Sequence, residues 1–219
     1  MAVTLNASTS SGLVQTADTS GTVEIQSNGT TRLTVASGGV TAINLTATNL
    51  TATGTFGGGV ITSGTAVAST SGTSIDFTSI PSWVKRITVM FSGVSLSGTS
   101  DIQIQLGVSG TPETTGYNTN FFRSQSTAIV TSTSTTDSFI VTGGVAGAAN
   151  LLYGQYVFSL LGSNIWTGTG VFYSSGSTNF MINSAGAKTL AGTLNMVRLK
   201  SLNGTDTFDA GTINILYEG

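Results

Sequence analysis

The segment IQIQLGV, residues 102–108, alternates apolar side chains with polar or small ones at every position. Successive side chains of a strand point to opposite faces, so this period of two predicts a β-strand with one buried and one polar face. The same period recurs in SIDFT (74–78), VKRITVMF (84–91) and NMVRLKSL (195–202). The C-terminal two thirds of the chain is therefore predicted to consist of strands.

The strand that follows residue 84 carries a second signal at Gly93. Apolar side chains occupy odd positions up to Phe91 and even positions from Val94 onward, and a change of parity at a glycine is typical of a β-bulge. No amphipathic helix is predicted, beyond at most a short helical turn near 79–84. Further strands are predicted at 121–131, 138–142, 151–161, 169–174, 178–183, 193–200 and 211–217. Their spacing favours an antiparallel, jelly-roll-like β-sandwich over residues 69–219.

Residues 1–68 are poor in large side chains, and Phe56 is the one aromatic residue among them. Within them, TVEIQSNGTTRLTV (22–35) has two alternating runs around Asn28-Gly29, a pair that tolerates positive φ and predicts a β-hairpin. An isolated hairpin is only marginally stable, because nothing covers its apolar face. The segment also lacks the high charge of disordered chains, so we expect other copies of the chain to complete it.

The segment NLTATNLTAT, residues 44–53, consists of the five-residue sequence NLTAT repeated twice. In one regular strand Leu45 and Leu50 would point to opposite faces, because five is odd. Three chains wrapped around one axis would let both leucines face that axis from separate short segments. The sequence thus predicts an extended, trimeric β-stalk with Leu33, Val35, Leu45 and Leu50 at the trimer axis. The alternative is a chance duplication in a low-complexity linker.

Charged residues make up 7% of the chain and the net charge is −2, whereas roughly 25% charged residues is typical of soluble domains. Without a basic stripe, nucleic-acid binding through phosphates has no electrostatic support. The chain contains no Cys and no His, which excludes disulfides, a Ser-His-Asp triad and a zinc site with thiolate or imidazole ligands. Since no Walker A sequence occurs either, we expect a protein that is not an enzyme and uses no cofactor.

The loop NGTDTFDAG (203–211) brings Asp206 and Asp209 close to Asn203. Oxygen ligands at such spacing can bind Ca²⁺, but the segment does not fit an EF-hand loop. A glycine-bounded β-turn explains it equally well. We therefore predict no metal site and keep Ca²⁺ near the two aspartates as the alternative.

Two observations bear on where the protein works. The first residues, MAVTLNASTS, lack the basic start and apolar stretch of a secretory signal, and no apolar run approaches the ~18 residues of a membrane span. We thus expect synthesis in a cytoplasm and no membrane insertion. The hydroxyl-rich, nearly uncharged composition nevertheless suits an exposed surface. Assembly in a host cell followed by release through lysis, as for a virus structural protein, satisfies both.

The segment GYNTNFFRSQ (116–125) is the predicted binding stretch. Aromatic rings and an Arg guanidinium suit contacts with sugar or protein, and adjacent Phe residues point to opposite faces of a strand. The candidates for receptor contact are Tyr117, Phe121, Phe122, Arg123 and Trp166. The alternative places one Phe in the core and the other in a trimer interface.

Three blocks of the chain resemble known proteins. SGLVQTADTSGTVEIQSNGTTRLTVASGGV (11–40) resembles segments that recur in phage tail-fibre and virion-appendage proteins. SIDFTSIPSWVKRITVMFSGVSLSG (74–98) and VRLKSLNGTDTFDAGTINILYEG (197–219) resemble the C-terminal β-sandwich domains of such proteins. The resemblance implies a homotrimer with an N-terminal attachment segment and a distal β-rich head, and it carries no receptor residue over.

The expected protein is a short phage tail fibre in the virion, with residues 1–68 as anchor and trimeric stalk and residues 69–219 as head. Its expected partners are its own copies, another virion protein of the tail or near the portal, and a host surface polysaccharide or outer-membrane protein. The runner-up is a trimeric capsid decoration or cement protein, or a head fibre, that stabilises the virion. A third class, a depolymerase, predicts release of reducing sugar.

Overall fold

A computed structural model describes residues 22–36, 39–42, 61–125, 128–131, 136–143, 148–176 and 179–219. The chain divides into two compact units, Met1–Thr53 and Gly54–Gly219. The described residues form seventeen strands and no helix, and every strand pair is antiparallel. The all-β fold class expected from the sequence is thus confirmed.

The first unit contains a three-stranded meander of β1 (Val23–Ser27), β2 (Thr30–Ala36) and β3 (Gly39–Ala42). The hairpin predicted at Asn28-Gly29 is present, and both residues have the positive φ, 51° and 70°, that a tight hairpin turn requires.

The larger sheet of the second unit has nine strands. In chain order they are β4 (Thr62–Ser63), β5 (Val67–Ala68), β7 (Arg86–Leu96), β10 (Tyr117–Gln125), β11 (Ala128–Thr131), β13 (Leu151–Gly162), β14 (Ile165–Ser175), β15 (Phe180–Thr189) and β17 (Phe208–Glu218). Their order across the sheet is β11-β10-β15-β14-β13-β7-β17-β4, and β5 also pairs with β17. Residues 62–68, which the sequence analysis assigned to the stalk, therefore pair with a strand of the second unit.

The smaller sheet has five strands. They are β6 (Ser74–Phe77), β8 (Ile102–Val108), β9 (Thr111–Pro112), β12 (Phe139–Ile140) and β16 (Leu194–Ser201). Their order is β12-β8-β16-β6, with β9 paired to β8.

Aromatic side chains pack between the two sheets around Phe139 of β12. Its ring centroid lies 5.0 Å from that of Phe158 and 5.7 Å from that of Tyr156, both on β13 of the larger sheet. All three side chains are fully buried. Because the inner faces of the two sheets share one core, the second unit has the arrangement of a β-sandwich.

The β-bulge predicted at Gly93 is present in β7. Phe91 pairs with Gly154 and Val94 pairs with Leu152, so three steps along β7 match two along β13. Gly93 has a φ of 65°, which residues with a Cβ rarely adopt. The extra residue returns Val94 to the core face that Phe91 occupies.

Three local expectations differ from the structure. The single strand predicted over 121–131 is two strands, because β10 ends at Gln125 and pairs antiparallel with β11. Residues 79–84 contain a hydrogen-bonded turn, Val84 N–H to Pro81 O at 3.2 Å, rather than helix. The polar face of β8 is covered instead of exposed, and the Gln105 side chain donates from Nε2 to the Asp137 carbonyl at 3.0 Å.

Candidate functional site

Three of the five residues proposed for receptor contact lie in the core. Tyr117, Phe121 and Trp166 are each at most 5% exposed. Buried and exposed side chains alternate along β10 and β14, and these three residues are at buried positions on the inner face of the larger sheet. Their side chains are consequently part of the packing between the sheets and are not presented at the surface.

Tyr117 is held in place by its hydroxyl. The Leu106 N–H donates to Tyr117 Oη at 2.9 Å, and the Tyr117 hydroxyl donates to the carbonyl oxygen of Glu113 at 2.9 Å. Burial raises the pKa of Tyr117 well above its usual value. The phenol therefore stays protonated and joins β10 to the β8–β9 region.

Arg123 is half-buried and packs within the protein. Its guanidinium lies 5.1 Å from the centroid of the Phe180 ring, and Nη1 donates to the Gly143 carbonyl at 3.3 Å. These contacts hold the side chain against β15 and the segment after β12. The guanidinium predicted to contact a receptor thus packs against the protein itself.

Phe122 is the one proposed contact residue that points outward, with 42% of its surface exposed. It lies opposite Asn183 of β15, which lies opposite Val171 of β14. Directly paired residues of antiparallel strands point to the same side of a sheet. Phe122, Asn183 and Val171 thus form one row across the outer face of the larger sheet.

The next row contains a tyrosine pair that is not among the predicted contact residues. Met181 of β15 pairs with Tyr173 of β14, and Tyr173 pairs with Tyr153 of β13. The two tyrosine rings are stacked, with centroids 6.4 Å apart and an angle of 27° between their planes. Their pairing across neighbouring strands provides a broad, partly exposed aromatic surface.

We call this surface the aromatic face and define it by its exposed large side chains, Phe122, Tyr153, Val171, Tyr173 and Met181. Exposed contiguous apolar patches are uncommon on soluble monomers and mark interaction sites. The described outward positions of β10, β13, β14 and β15 carry no charged side chain. A partner for this face must therefore be recognised by apolar contact and neutral hydrogen bonds.

A groove of about 410 Å³ opens on the aromatic face beside Phe122. Val171, Ala185 and Asn120 contribute to its lining together with Asn183. Asn120 Oδ1 accepts from the Phe121 N–H at 2.7 Å, which leaves its Nδ2 as a donor. The Asn183 amide makes no side-chain hydrogen bond within the described part of the chain, so it can both donate to and accept from a ligand.

The sequence pattern that could have identified Val171 and Tyr173 as surface residues is in IWTGTGVFYSS (165–175). Once this segment is a strand, Trp166 and Phe172 share one face and Val171 and Tyr173 share the other. A strand with aromatic residues on both faces must expose one face or have both covered. The exposure of Val171 and Tyr173 shows that no described strand of the second unit covers the second face.

The first unit also presents an apolar face. Val23 pairs with Val35, and Val35 pairs with Val40, so one row crosses all three strands on one side. Leu33 lies in the neighbouring row opposite Ile25. The three valines are between 41% and 66% exposed. Of the predicted trimer-axis residues, Leu33 and Val35 belong to this face, whereas Leu45 and Leu50 lie outside the described residues.

Asp206 and Asp209 make internal hydrogen bonds. Asp206 Oδ2 accepts from the Ser100 N–H at 2.8 Å, and its own N–H donates to Asn203 Oδ1 at 3.0 Å. The Ser95 hydroxyl donates to Asp209 Oδ1. Both carboxylates thus stabilise the β16–β17 turn against the end of β7. Across the described ranges, no three acidic, His or Cys residues are grouped to hold a metal ion.

The described structure defines an all-β protein of antiparallel sheets. In the part of the chain that the structure describes, there is no helix long and apolar enough to cross a membrane. Neither a family model, nor a curated protein, nor a solved structure matches the chain.

Proposed function

We propose that the chain is a structural protein of a bacteriophage particle, a short tail fibre that attaches the particle to a host surface polysaccharide. The aromatic face is the observation that carries the proposal. Sugar rings present apolar C–H faces and neutral hydroxyls, and the stacked Tyr153–Tyr173 pair beside the amides of Asn120 and Asn183 offers matching surfaces.

The groove beside Phe122 supports a small polymer unit as the ligand. Its volume of about 410 Å³ lies within the range of roughly 300–1,000 Å³ that is typical of small-molecule sites. The absence of charge on the described aromatic face favours a neutral glycan over an acidic one. A single contact of this kind is weak, and the proposed homotrimer would multiply it by binding three sites at once.

Association of three copies is proposed to involve the apolar face of β1, β2 and β3. Exposed valines in a small three-stranded meander leave apolar surface in water, which burial against identical faces would remove. In the fibre, the N-terminal segment would join a tail or portal-proximal protein of the particle. The protein would be made in the host cytoplasm and act in the virion.

Binding to arrayed bacterial surface polysaccharides tests the proposal directly. The purified full chain should bind neutral polysaccharides, and Tyr153→Ala with Tyr173→Ala should weaken binding by about tenfold or more, since contact aromatics are frequent hot spots. Thr167→Ala is the matched control, because Thr167 is an exposed residue of β14 on the same outer face but outside the tyrosine row.

Two outcomes would count against this function. Equal binding by the double tyrosine variant and the parent chain would remove the aromatic face as the contact surface. Release of reducing sugar from a bound polysaccharide would instead identify a depolymerase, which the proposal excludes.

A capsid decoration or cement protein is the second candidate. The exposed valines of the first unit also suit a segment that packs against capsid subunits, and this observation alone does not require a tail position. A reconstruction of the particle that carries the chain separates the two. Density on the tail supports the fibre, whereas density at capsid threefold positions supports decoration.

A further inference from the structure

A second groove lies on the opposite side of the sandwich, on the outer face of the smaller sheet. Its volume is about 260 Å³. We call it the Lys200 groove. The side chains that define it belong to β6, β8 and β16 and to the segment after β9. They are Ser74, Gln105, Thr114, Arg198, Lys200 and Ser201.

Strand register places the polar residues of this groove in two rows. Lys200 pairs with Ser74 on one side and with Gln103 on the other, and Arg198 pairs with Gln105 in the row beside it. Paired residues share a face, so Arg198 and Lys200 both point away from the core. The groove floor is therefore polar and carries two cationic side chains two residues apart.

Only one of the two cations is neutralised. Arg198 binds Asp76 through two parallel hydrogen bonds, Nε to Oδ1 at 2.7 Å and Nη2 to Oδ2 at 2.6 Å. Lys200 is half-buried, and no described carboxylate forms an ion pair with it. Partial burial of an unpaired ammonium is unfavourable, so the groove has an excess positive charge that an anion would neutralise.

Two further polar atoms near Lys200 lack partners. Gln103 Oε1 and Ser201 Oγ are buried without a hydrogen bond in the described part of the chain. Gln103 lies directly across from Lys200, whereas Ser201 follows Lys200 in β16 and its buried hydroxyl points to the inner face of the sheet. Buried polar atoms without partners are rare in folded proteins, and each calls for an explanation. The unpaired Lys200 therefore has one buried polar atom without a partner, Gln103 Oε1, directly across from it on the same face of the sheet.

We propose that the Lys200 groove binds an acidic sugar unit through its carboxylate or phosphate group. Lys200 supplies the charge, and the hydroxyls of Ser74 and Thr114 supply neutral hydrogen-bonding groups for the rest of the unit. A volume of about 260 Å³ accommodates one monosaccharide rather than a longer segment. This site is on the other sheet from the aromatic face and does not depend on the function proposed for that face.

Titration of the ¹⁵N-labelled full chain by NMR tests the proposal with three matched probes. Glucuronate carries a carboxylate, glucose 6-phosphate carries a phosphate, and glucose carries neither. We expect at least one acidic sugar to shift the backbone amides of residues 103–105 and 198–201, with affinity about tenfold or more above that of glucose, since charge-assisted hydrogen bonds are roughly twice as strong as neutral ones. The acidic sugar that binds identifies the source of the anionic group.

Variants of Lys200 separate charge recognition from structural damage. Lys200→Gln should weaken acidic-sugar binding about tenfold, and Lys200→Arg should retain most of it. Lys85→Gln removes an exposed charge elsewhere and should change nothing. The proposal is overturned if glucose binds as well as both acidic sugars, if neither acidic sugar shifts these amides at concentrations of about 10 mM, or if Lys85→Gln weakens binding as much as Lys200→Gln.

Discussion

Lys188 Nζ lies 2.5 Å from Glu113 Oε2, and the lysine side chain is only 6% exposed. Lys188 belongs to the inner face of β15, whereas Glu113 follows β9 in the smaller sheet. Glu113 also accepts the Ala191 N–H through Oε1 at 2.8 Å. This carboxylate therefore ties the two sheets together at one edge and neutralises a buried ammonium.

Glu113→Gln should destabilise the protein by about 2–3 kcal/mol at pH 7, because it leaves Lys188 charged and buried without a counterion. Urea unfolding followed by tryptophan fluorescence measures the loss. Glu218→Gln is the matched control. It disrupts the solvent-exposed pair with Arg86, whose N–O distance is 3.6 Å, and should cost under about 1 kcal/mol. Equal losses in the two variants would contradict the role given to Glu113.

The stability difference between the parent chain and Glu113→Gln should depend on pH. Burial alone would raise the pKa of Glu113, but hydrogen bonds from Lys188 and the Ala191 N–H, with the charge of Lys188, lower it below its ordinary value of 4.5. A lowered folded-state pKa gives stability that is complete above the unfolded-state pKa and is lost as pH falls through the folded-state pKa. The difference should thus be full at pH 7 and shrink as the pH falls below 4.5, the ordinary value. A difference that stays constant down to pH 3 would contradict this account.

Tyr117→Phe should destabilise the second unit by roughly 1–2 kcal/mol, because the buried Leu106 N–H loses its acceptor. Thermal unfolding by circular dichroism provides the measurement. Tyr173→Phe removes a hydroxyl from a partly exposed ring on the aromatic face and should leave the melting temperature unchanged. The interpretation fails if the two substitutions lower the melting temperature equally.

Gly170→Ala should destabilise the core by about 1–3 kcal/mol through overpacking. A Cβ at Gly170 would lie 2.5 Å from Tyr156 Cδ2 and 2.6 Å from Phe172 Cε2, so the aromatic rings between the sheets would have to move. Thr169→Ala, one residue earlier on the outer face, should have an effect within about 0.5 kcal/mol. The urea midpoints of unfolding of the two variants are compared. If Gly170→Ala does not lower the midpoint, the close packing of the aromatic rings around Gly170 is contradicted.

The proposed trimer predicts opposite results for two neighbouring residues of β3. Val40 is on the apolar face and 66% exposed, whereas Thr41 is on the polar face and also exposed. Val40→Asp should dissociate the oligomer, because each copy would place a charge in an apolar contact, and Thr41→Asp should not. Light scattering after size exclusion measures the mass. A monomeric parent chain, or dissociation by both variants, would remove this face as the contact.

The sequence by itself determined most of the longer strands, whereas the short strands β3, β4, β5 and β9 were not predicted. Period-two alternation, Asn28-Gly29 and the parity change at Gly93 predict the elements, the first hairpin and the bulge, because these features depend on neighbours in the chain. The division of residues 121–131 into β10 and β11 was not predicted, since this segment contains no equally strong turn signal.

Only the tertiary structure decided which face of each strand is covered. Alternation assigns Tyr117 and Phe122 to opposite faces but not either one to the core, and it gave no reason to pair Tyr153 with Tyr173. The same limit applies to β8, where a polar alternation is buried on both sides. Coverage depends on residues far away in sequence, such as Phe139 against β13, and a local pattern carries no information about such contacts.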